Sequence, residues 1–154
     1  MSAILTSVIA VLGTLLGSFL THAFQQRSAT HAERGAQAER LRQERLEVYG
    51  AYAGLLVEFR QAVLHHWFCL HRGTDAAEEP ALRAKSFELR SQTQHAVFRL
   101  QLIADSPELT AAATAAFETI GRIDRAADLE DVERRRDATR DLIDAFVATA
   151  RHHL

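Results

Sequence analysis

The first 26 residues contain no Asp, Glu, Lys or Arg, and residues 3–24 are almost wholly apolar. A helix of about 20 residues crosses a hydrocarbon core about 30 Å thick, and only a helix lets a single segment satisfy its own backbone hydrogen bonds in lipid. The pattern therefore predicts one transmembrane helix over residues 3–24. A cleaved signal peptide is the main alternative, but no basic residue precedes the apolar run and Thr21-His22-Ala23 is a poor cleavage site. We expect an uncleaved anchor.

Basic residues lie on one side of this segment only. Glutamates interleave with them, so they do not form a simple polybasic lipid site, although membrane lipid is an expected partner. Positive charge favours the cytoplasmic side, which predicts a single-pass protein of the cell membrane with its N-terminus outside and its C-terminal domain in the cytoplasm. The juxtamembrane arginines are Arg27, Arg34, Arg40, Arg42 and Arg45.

The remaining part of the chain, about 125 residues, suffices for one small domain. Its single cysteine, Cys69, cannot form an internal disulfide, which agrees with a reducing compartment. A net charge of -2 gives no general attraction to nucleic acid, so we expect no direct nucleic-acid partner.

The chain holds two prolines and seven glycines and is rich in good helix formers, which predicts an all-α protein. Residues 25–45 are polar nearly all round and predict a charged helical neck that continues the membrane helix. Residues 46–154 predict a cytoplasmic antiparallel four-helix bundle. Turn and cap residues end its first helix near Arg72 and place the others at about 80–104, 107–126 and from 128 onward.

The first bundle helix carries an apolar seam at the a and d spacing of a heptad, with His66 in the remaining position. Such a seam requires a partner helix, either within the bundle or in an oligomer. In the second helix we expect Leu82, Phe87 or Leu89, Phe98 and Leu102 to be buried. The seam consists of Tyr49, Tyr52, Leu56, Phe59, Val63 and Leu70.

Small residues line one face of the membrane segment. Gly13 and Gly17 form a Gly-x-x-x-Gly motif, and Ala10, Thr14 and Thr21 lie on or near the same face. Two helices approach closely along such a stripe, which predicts a homo-oligomer. The alternative is ordinary membrane-helix composition, in which small residues are common.

Few side chains suggest a metal or nucleic-acid site. His65 and Cys69 share a helix face at i,i+4 and His95 can join them, but without a second matching pair this is weak grounds for zinc, and aromatic packing is the preferred interpretation. The triplet 134–136 is all arginine, yet acidic residues flank it at ion-pairing distances, so a salt-bridged surface is favoured over a phosphate or DNA contact. We predict no metal and no cofactor.

Catalytic motifs are missing as well. The sequence contains no phosphate-binding loop, no Gly-x-Ser-x-Gly elbow, no His-Glu-x-x-His and no Glu-x-x-His pair. We therefore expect no catalytic residues and no enzymatic activity.

Three segments together resemble the KilB family. They are the stretch from Ser7 to Gly17 within the apolar segment, Arg42-Gln43-Glu44-Arg45-Leu46 before the first bundle helix, and Phe59-Arg60-Gln61-Ala62 followed by Trp67. The resemblance covers about the first 70 residues and is vague in the last three helices. It implies a protein of actinomycete conjugative plasmids or related chromosomal loci, linked to plasmid transfer or spread between mycelial compartments.

These features predict a membrane-anchored helical adaptor that self-associates and docks other membrane or plasmid-transfer proteins. A second hypothesis is an oligomeric membrane pore whose uncontrolled expression is toxic to the host. A third is a cytoplasmic sensor that uses His65, Cys69 or His95 to bind a metal or respond to pH.

Overall fold

The protein is all-helical, as predicted. The computed structural model describes the backbone of residues 2–72 and 77–154, and the side chains of residue 33, residues 35–72 and residues 77–154. Within those residues there is no strand. The described backbone forms four α-helices and one short 3₁₀ helix: α1 (Ser2–Arg72), α2 (Glu79–Ile103), α3 (Pro107–Ile120), the 3₁₀ helix (Ile123–Arg125) and α4 (Leu129–Arg151).

The chain divides into two compact units, Met1–Arg42 and Gln43–Leu154. In the first unit, the predicted span 3–24 lies outside the residues whose side chains are described. The described side chains of that unit are exposed, and Arg42 forms an ion pair with Glu39 at 3.8 Å. Among the described residues, no helix combines the length and the apolar character that a membrane crossing requires.

One hydrophobic core holds the second unit together, with contributions from all four helices and the 3₁₀ helix. Burying a large apolar side chain fully contributes about 1.5–3 kcal/mol relative to leaving it exposed. Many such side chains are therefore required to offset the entropy lost on ordering the chain. The largest of them are Tyr52, Phe59, Phe146, Leu56, Leu100, Leu109, Ile120, Ile123 and Val132.

Side-chain caps fix where α3 and α4 begin. The Ser106 hydroxyl accepts a hydrogen bond from the Leu109 amide at 3.3 Å, with Pro107 in the first turn. The Asp128 carboxylate accepts one from the Asp131 amide at 2.8 Å. Each cap satisfies an amide that has no partner within its own helix, so both starts lie where the sequence predicts them.

The third helix ends earlier than predicted. We expected it to reach about Ala126, but α3 ends at Ile120 and is followed by Gly121 and the 3₁₀ helix. This change of path directs both Ile123 and Ala126 into the core. The expectation was wrong because glycine favours helix poorly and two further apolar side chains become buried when the helix stops here.

The buried face of α2 also differs from the prediction. Leu89, the predicted alternative to Phe87, is buried, whereas Phe87, Phe98 and Leu102 are exposed. Thr93, Val97 and Leu100 complete the buried face of the helix. Thr93 is tolerated inside because its hydroxyl donates a 2.7 Å hydrogen bond to the Leu89 carbonyl oxygen. Apolar residues lie on two faces of this helix, and the prediction was wrong for Phe98 and Leu102, which lie on the exposed face.

Candidate functional site

The predicted seam lies inside the folded unit. Tyr49, Tyr52, Leu56, Phe59 and Val63 are all buried, whereas Leu70 is 55% exposed. The Tyr52 hydroxyl donates a 2.8 Å hydrogen bond to the Ala113 carbonyl oxygen of α3, and its ring packs edge-on against Phe146 of α4. Burial raises the pKa of the Tyr52 phenol far above its usual value.

The contacts between α1 and the segment around α3 follow one order. Phe59 packs against Phe117 with ring centroids 5.9 Å apart, and the Trp67 indole N–H donates a 3.1 Å hydrogen bond to the Ala126 carbonyl oxygen. Residues further along α1 therefore contact residues further along the segment from Ala113 to Ala126, so the two segments run in the same direction. The seam residues Tyr52 and Phe59 therefore have partners in α3 and α4 of the same chain.

A network of charged groups stabilises the start of α4. The Asp131 carboxylate accepts hydrogen bonds from the Ala127 amide and from Arg134 and Arg135. Arg135 also donates to the Arg122 carbonyl oxygen at 3.0 Å. Burial acts to raise the Asp131 pKa, but the amide and the two guanidinium groups outweigh it and hold this pKa below its usual value.

The arginine triplet therefore has carboxylate partners along its own helix. Arg134 and Arg135 pair with Asp131, and Arg136 pairs with Asp137 at 3.1 Å. These are the helix-surface ion pairs that the sequence predicts.

The other basic residues singled out from the sequence have separate environments. The side chains of Arg27 and Arg34 lie outside the described residues, while Arg40 and Arg42 are exposed. Arg45 forms an ion pair with Asp105, just before α3. The predicted membrane-packing residues Ala10, Gly13, Thr14, Gly17 and Thr21 also lie outside the residues whose side chains are described.

The histidines and the cysteine do not gather into a ligand set. His65 and His95 are exposed and Cys69 is buried. Among the described residues, no three His, Cys, Asp or Glu side chains lie close enough together to hold a metal ion. His66 instead contacts Glu79 at 3.2 Å, and His71 stacks on the Trp67 ring at 3.9 Å.

A groove of about 440 Å³ opens between the last turns of α1 and the first half of α2. Its apolar lining comes from Phe59, Val63, Leu70 and Phe87. The groove is also lined by the backbone of Gly121 and by six polar residues: His66, Glu79, Arg83, Ser86, Arg90 and Asp124. A β-carbon at Gly121 would lie 2.9 Å from the Arg90 guanidinium, so glycine lets that group lie against the backbone.

The outer face of α2 continues from this groove. Phe87 is 61% exposed, Phe98 51% and Leu102 88%. Spacings of eleven and four residues bring the three side chains to one side of a helix. Sequence reasoning missed this surface because it assigned Phe98 and Leu102 to the core and left Phe87 as an alternative to Leu89.

The folded unit matches a known protein family. Residues 46–154 match the family model described as KilB plasmid transfer protein, over more than half of the chain. The chain belongs to the KilB family. The KilB match begins within a few residues of the start of the second compact unit and ends with it at residue 154. No curated protein and no solved structure gave a significant match.

The resemblance to KilB is thus confirmed, but its position is corrected. We expected the first 70 residues to carry it and the last three helices to show little of it. The match instead takes in α2, α3 and α4 and begins after the apolar segment. Of the residues that suggested the family, those within the match are Leu46, the four from Phe59 to Ala62, and Trp67. Phe59 and Trp67 are core residues, so the signal they give is largely one of packing.

Proposed function

We propose that this protein is a membrane-tethered helical adaptor that acts in conjugative plasmid transfer or spread, and that it works by assembly instead of catalysis. The observation that carries the proposal is the KilB match over residues 46–154, which nearly coincides with the unit Gln43–Leu154. A match of this extent supports the folded unit as a part that the family has in common. The function in transfer is therefore assigned to that unit.

The proposed tether is residues 3–24, followed by the neck at 25–45. Its support is the uncharged sequence of residues 1–26 and the arginines that follow it, which favour a cytoplasmic C-terminal domain. Beyond the neck we propose an antiparallel four-helix bundle. Short connections between successive helices favour this arrangement. The contacts of α3 and α4 also favour it, because they run in opposite order along the two segments. Arg122, just after α3, accepts a hydrogen bond from Arg135 near the start of α4, whereas Ala113 near the start of α3 and Phe146 near the end of α4 both contact Tyr52.

Self-association belongs to the same proposal. Because five seam residues already pack within the chain, the seam has little surface left for a second copy. We therefore assign self-association to the small-residue stripe of the span, in which Gly13 and Gly17 permit close approach and Ala10, Thr14 and Thr21 continue the contact.

A plasmid-transfer assay tests the adaptor and its tether. A donor that lacks the gene is complemented with the full chain or with a chain that starts at Gln25, and transfer frequency and membrane fractionation are measured together. We expect the shortened chain to leave the membrane fraction and to lose transfer. Normal transfer by a chain that no longer sediments with membranes would overturn the tether, and normal transfer without the gene would overturn the role itself.

The stripe needs its own variants. Gly13→Leu with Gly17→Leu should reduce the oligomer mass of the full chain in lipid nanodiscs, because leucine holds the helices apart. Val8→Leu with Val11→Leu adds bulk to the opposite face and is the matched control. An unchanged mass in the glycine variant would exclude the stripe as the contact.

The pore hypothesis is separated by ion flux from liposomes that contain the full chain at high density. No observation on the described residues favours a pore. A sustained flux that depends on residues 3–24 would replace the adaptor with the pore.

A further inference from the structure

The outer face of α2 has the composition of a docking surface. Phe87, Phe98 and Leu102 form an exposed apolar row on one side of the helix. Exposed contiguous apolar surface on a folded protein commonly marks an interaction site, and single scattered residues do not. Phe98 and Leu102 lie one turn apart and form one apolar patch, and Phe87 joins the apolar lining of the groove to form another. The exposed polar residues Ser91, Gln94 and His95 lie between the two patches on the same side of the helix.

Positive charge accompanies this row in a protein whose net charge is negative. Residues 83–102 contain four basic residues, Arg83, Lys85, Arg90 and Arg99, and one acidic residue, Glu88. Glu88 already pairs with Lys85 at 3.1 Å. In the part of the chain that the structure describes, no carboxylate lies within ion-pair distance of the other three cations.

Two of these cations border the groove. The Arg83 guanidinium lies 5.8 Å from the centre of the Phe87 ring, and that of Arg90 lies 5.7 Å from the centre of the Phe117 ring. Glu79, also in α2, and Asp124 line the groove as well, and Glu79 contacts His66 at 3.2 Å. The groove lining therefore carries two guanidinium groups and two carboxylates, and in the described part of the chain neither guanidinium group has a carboxylate within ion-pair distance.

We propose that the α2 row and the adjoining groove bind an amphipathic helix of another protein, one whose apolar stripe is flanked by acidic side chains. One apolar side chain of that helix enters the groove beside Phe87, and the rest of its stripe covers Phe98 and Leu102. Its carboxylates meet Arg83, Arg90 and Arg99, whose planar guanidinium groups suit bidentate pairing. This is the helix-in-groove mode of recognition.

The charges and the shape favour this occupant over two others. A second copy placed symmetrically on the same face would bring two positive segments together, which like-charge repulsion opposes. A lipid surface would satisfy the charge but has no projecting side chain to fill a groove of 440 Å³. The proposal deepens the adaptor role by stating the chemistry of the partner.

Peptide binding to the full chain in phosphatidylcholine nanodiscs tests the proposal. The probe is a fluorescein-labelled peptide of about 18 residues with leucines at i, i+3, i+4 and i+7 spacing and glutamates on both flanks. A second peptide has lysines in place of the glutamates. We expect saturable binding of the acidic peptide and at least about tenfold weaker binding of the basic one. Equal or stronger binding of the basic peptide, or no binding of either, would overturn the proposal.

Two matched pairs of variants locate the contact. Leu102→Ser should weaken acidic-peptide binding by about tenfold, whereas Leu129→Ser, an exposed leucine of α4 that is 45% accessible, should not change it. Arg99→Glu should weaken the acidic peptide and strengthen the basic one, whereas Arg140→Glu on α4 should leave both unchanged. Equal effects within either pair would show that the contact is not on α2.

The other occupants give distinct results. Leu102→Ser would lower the mass of the full-chain oligomer if a second copy occupied the face, and this would overturn the proposal. Hydrogen-exchange protection of α2 that appears in phosphatidylglycerol nanodiscs and is absent in phosphatidylcholine would assign the face to lipid and overturn it equally. Because binding is titrated in vitro, its loss is distinguishable from a failure of plasmid transfer in cells.

Discussion

Replacing Tyr52 with Phe measures how strongly the contact between α1 and α3 stabilises the folded unit. The Tyr52 hydroxyl is fully buried and donates a 2.8 Å hydrogen bond to the Ala113 carbonyl oxygen. The substitution keeps the ring that packs against Phe146 and removes only the donor. Because a hydrogen bond within a protein contributes about 0.5–1.5 kcal/mol net, we expect Tyr52→Phe to lower the free energy of unfolding by about 1 kcal/mol.

The corresponding shift in melting temperature follows from the size of the unit. Unfolding entropy is about 2.1 cal/mol/K per residue, which gives about 0.24 kcal/mol/K for the roughly 110 residues of Gln43–Leu154. A loss of 1 kcal/mol then lowers Tm by about 4 °C. Urea and thermal unfolding of the full chain in mild detergent can be followed by the fluorescence of Trp67, the only tryptophan, which is buried in this core.

Tyr49→Phe is the matched control. Tyr49 is buried on the same helix, but within the described residues its hydroxyl makes no hydrogen bond and it retains some contact with solvent. The same chemical change should therefore alter stability by less than about 0.5 kcal/mol. If Tyr52→Phe and Tyr49→Phe change the free energy of unfolding equally, the hydrogen bond to Ala113 does not stabilise the fold and the reasoning is refuted.

Three further predictions concern the same unit. Gly54 is exposed in the interior of α1 with open space where a β-carbon would lie, so Gly54→Ala should raise the free energy of unfolding by about 0.5–1 kcal/mol, measured as a higher urea midpoint with an unchanged slope. The pKa of Asp131 is lowered in the folded state, so the stability that its carboxylate contributes is complete above the unfolded-state pKa of about 3.9 and is lost as pH falls through the lower folded-state pKa. Asp131→Asn should therefore reduce the decrease in the free energy of unfolding as pH is lowered below about 5. An unchanged dependence of this free energy on pH would contradict the prediction. Tyr49 and Tyr52, the only tyrosines, both have raised pKa values, chiefly because they are buried. The stability that their neutral forms contribute is therefore present below about pH 10 and lost above it. Absorbance at 295 nm should show that the phenols ionise at higher pH in the native protein than in urea, and coincident titration curves would argue against their burial.

The helix starts were predictable because their signals are local. Ser106 with Pro107, and Asp128 three residues before the Asp131 amide, act through contacts within one turn, so the sequence alone contains what is needed. The seam of α1 was likewise visible from its spacing. The spacing does not show which helix packs against each seam residue. Leu70 illustrates this, because it lies at the correct spacing and is nevertheless exposed.

The orientation of α2 could not be predicted in the same way. Leu89, Val97 and Leu100 lie on one face and Phe87, Phe98 and Leu102 on another, and the second set is the more hydrophobic in appearance. The choice between them depends on which face meets the rest of the core, to which Leu89, Val97 and Leu100 belong. That information is tertiary and absent from the sequence of α2 itself. A helix with two apolar faces is therefore itself a signal that one of them is available for binding.

The burial of the seam changes what assembly by this protein can depend on. A heptad seam that served an oligomer would expose its a and d residues in a single chain, and here five of the six are buried within the chain. Opening them to a second copy would require Tyr52 and Phe59 to leave their intrachain contacts, at about 3–5 kcal/mol for each large side chain lost from a core. Assembly is therefore expected to use surfaces that the fold leaves uncovered. In the second unit the outer face of α2 is such a surface, and in the first unit the proposal rests on the stripe of Gly13 and Gly17. The two surfaces differ in chemistry, since one is apolar and cationic and the other is small and uncharged, so they suit different partners and can act at the same time.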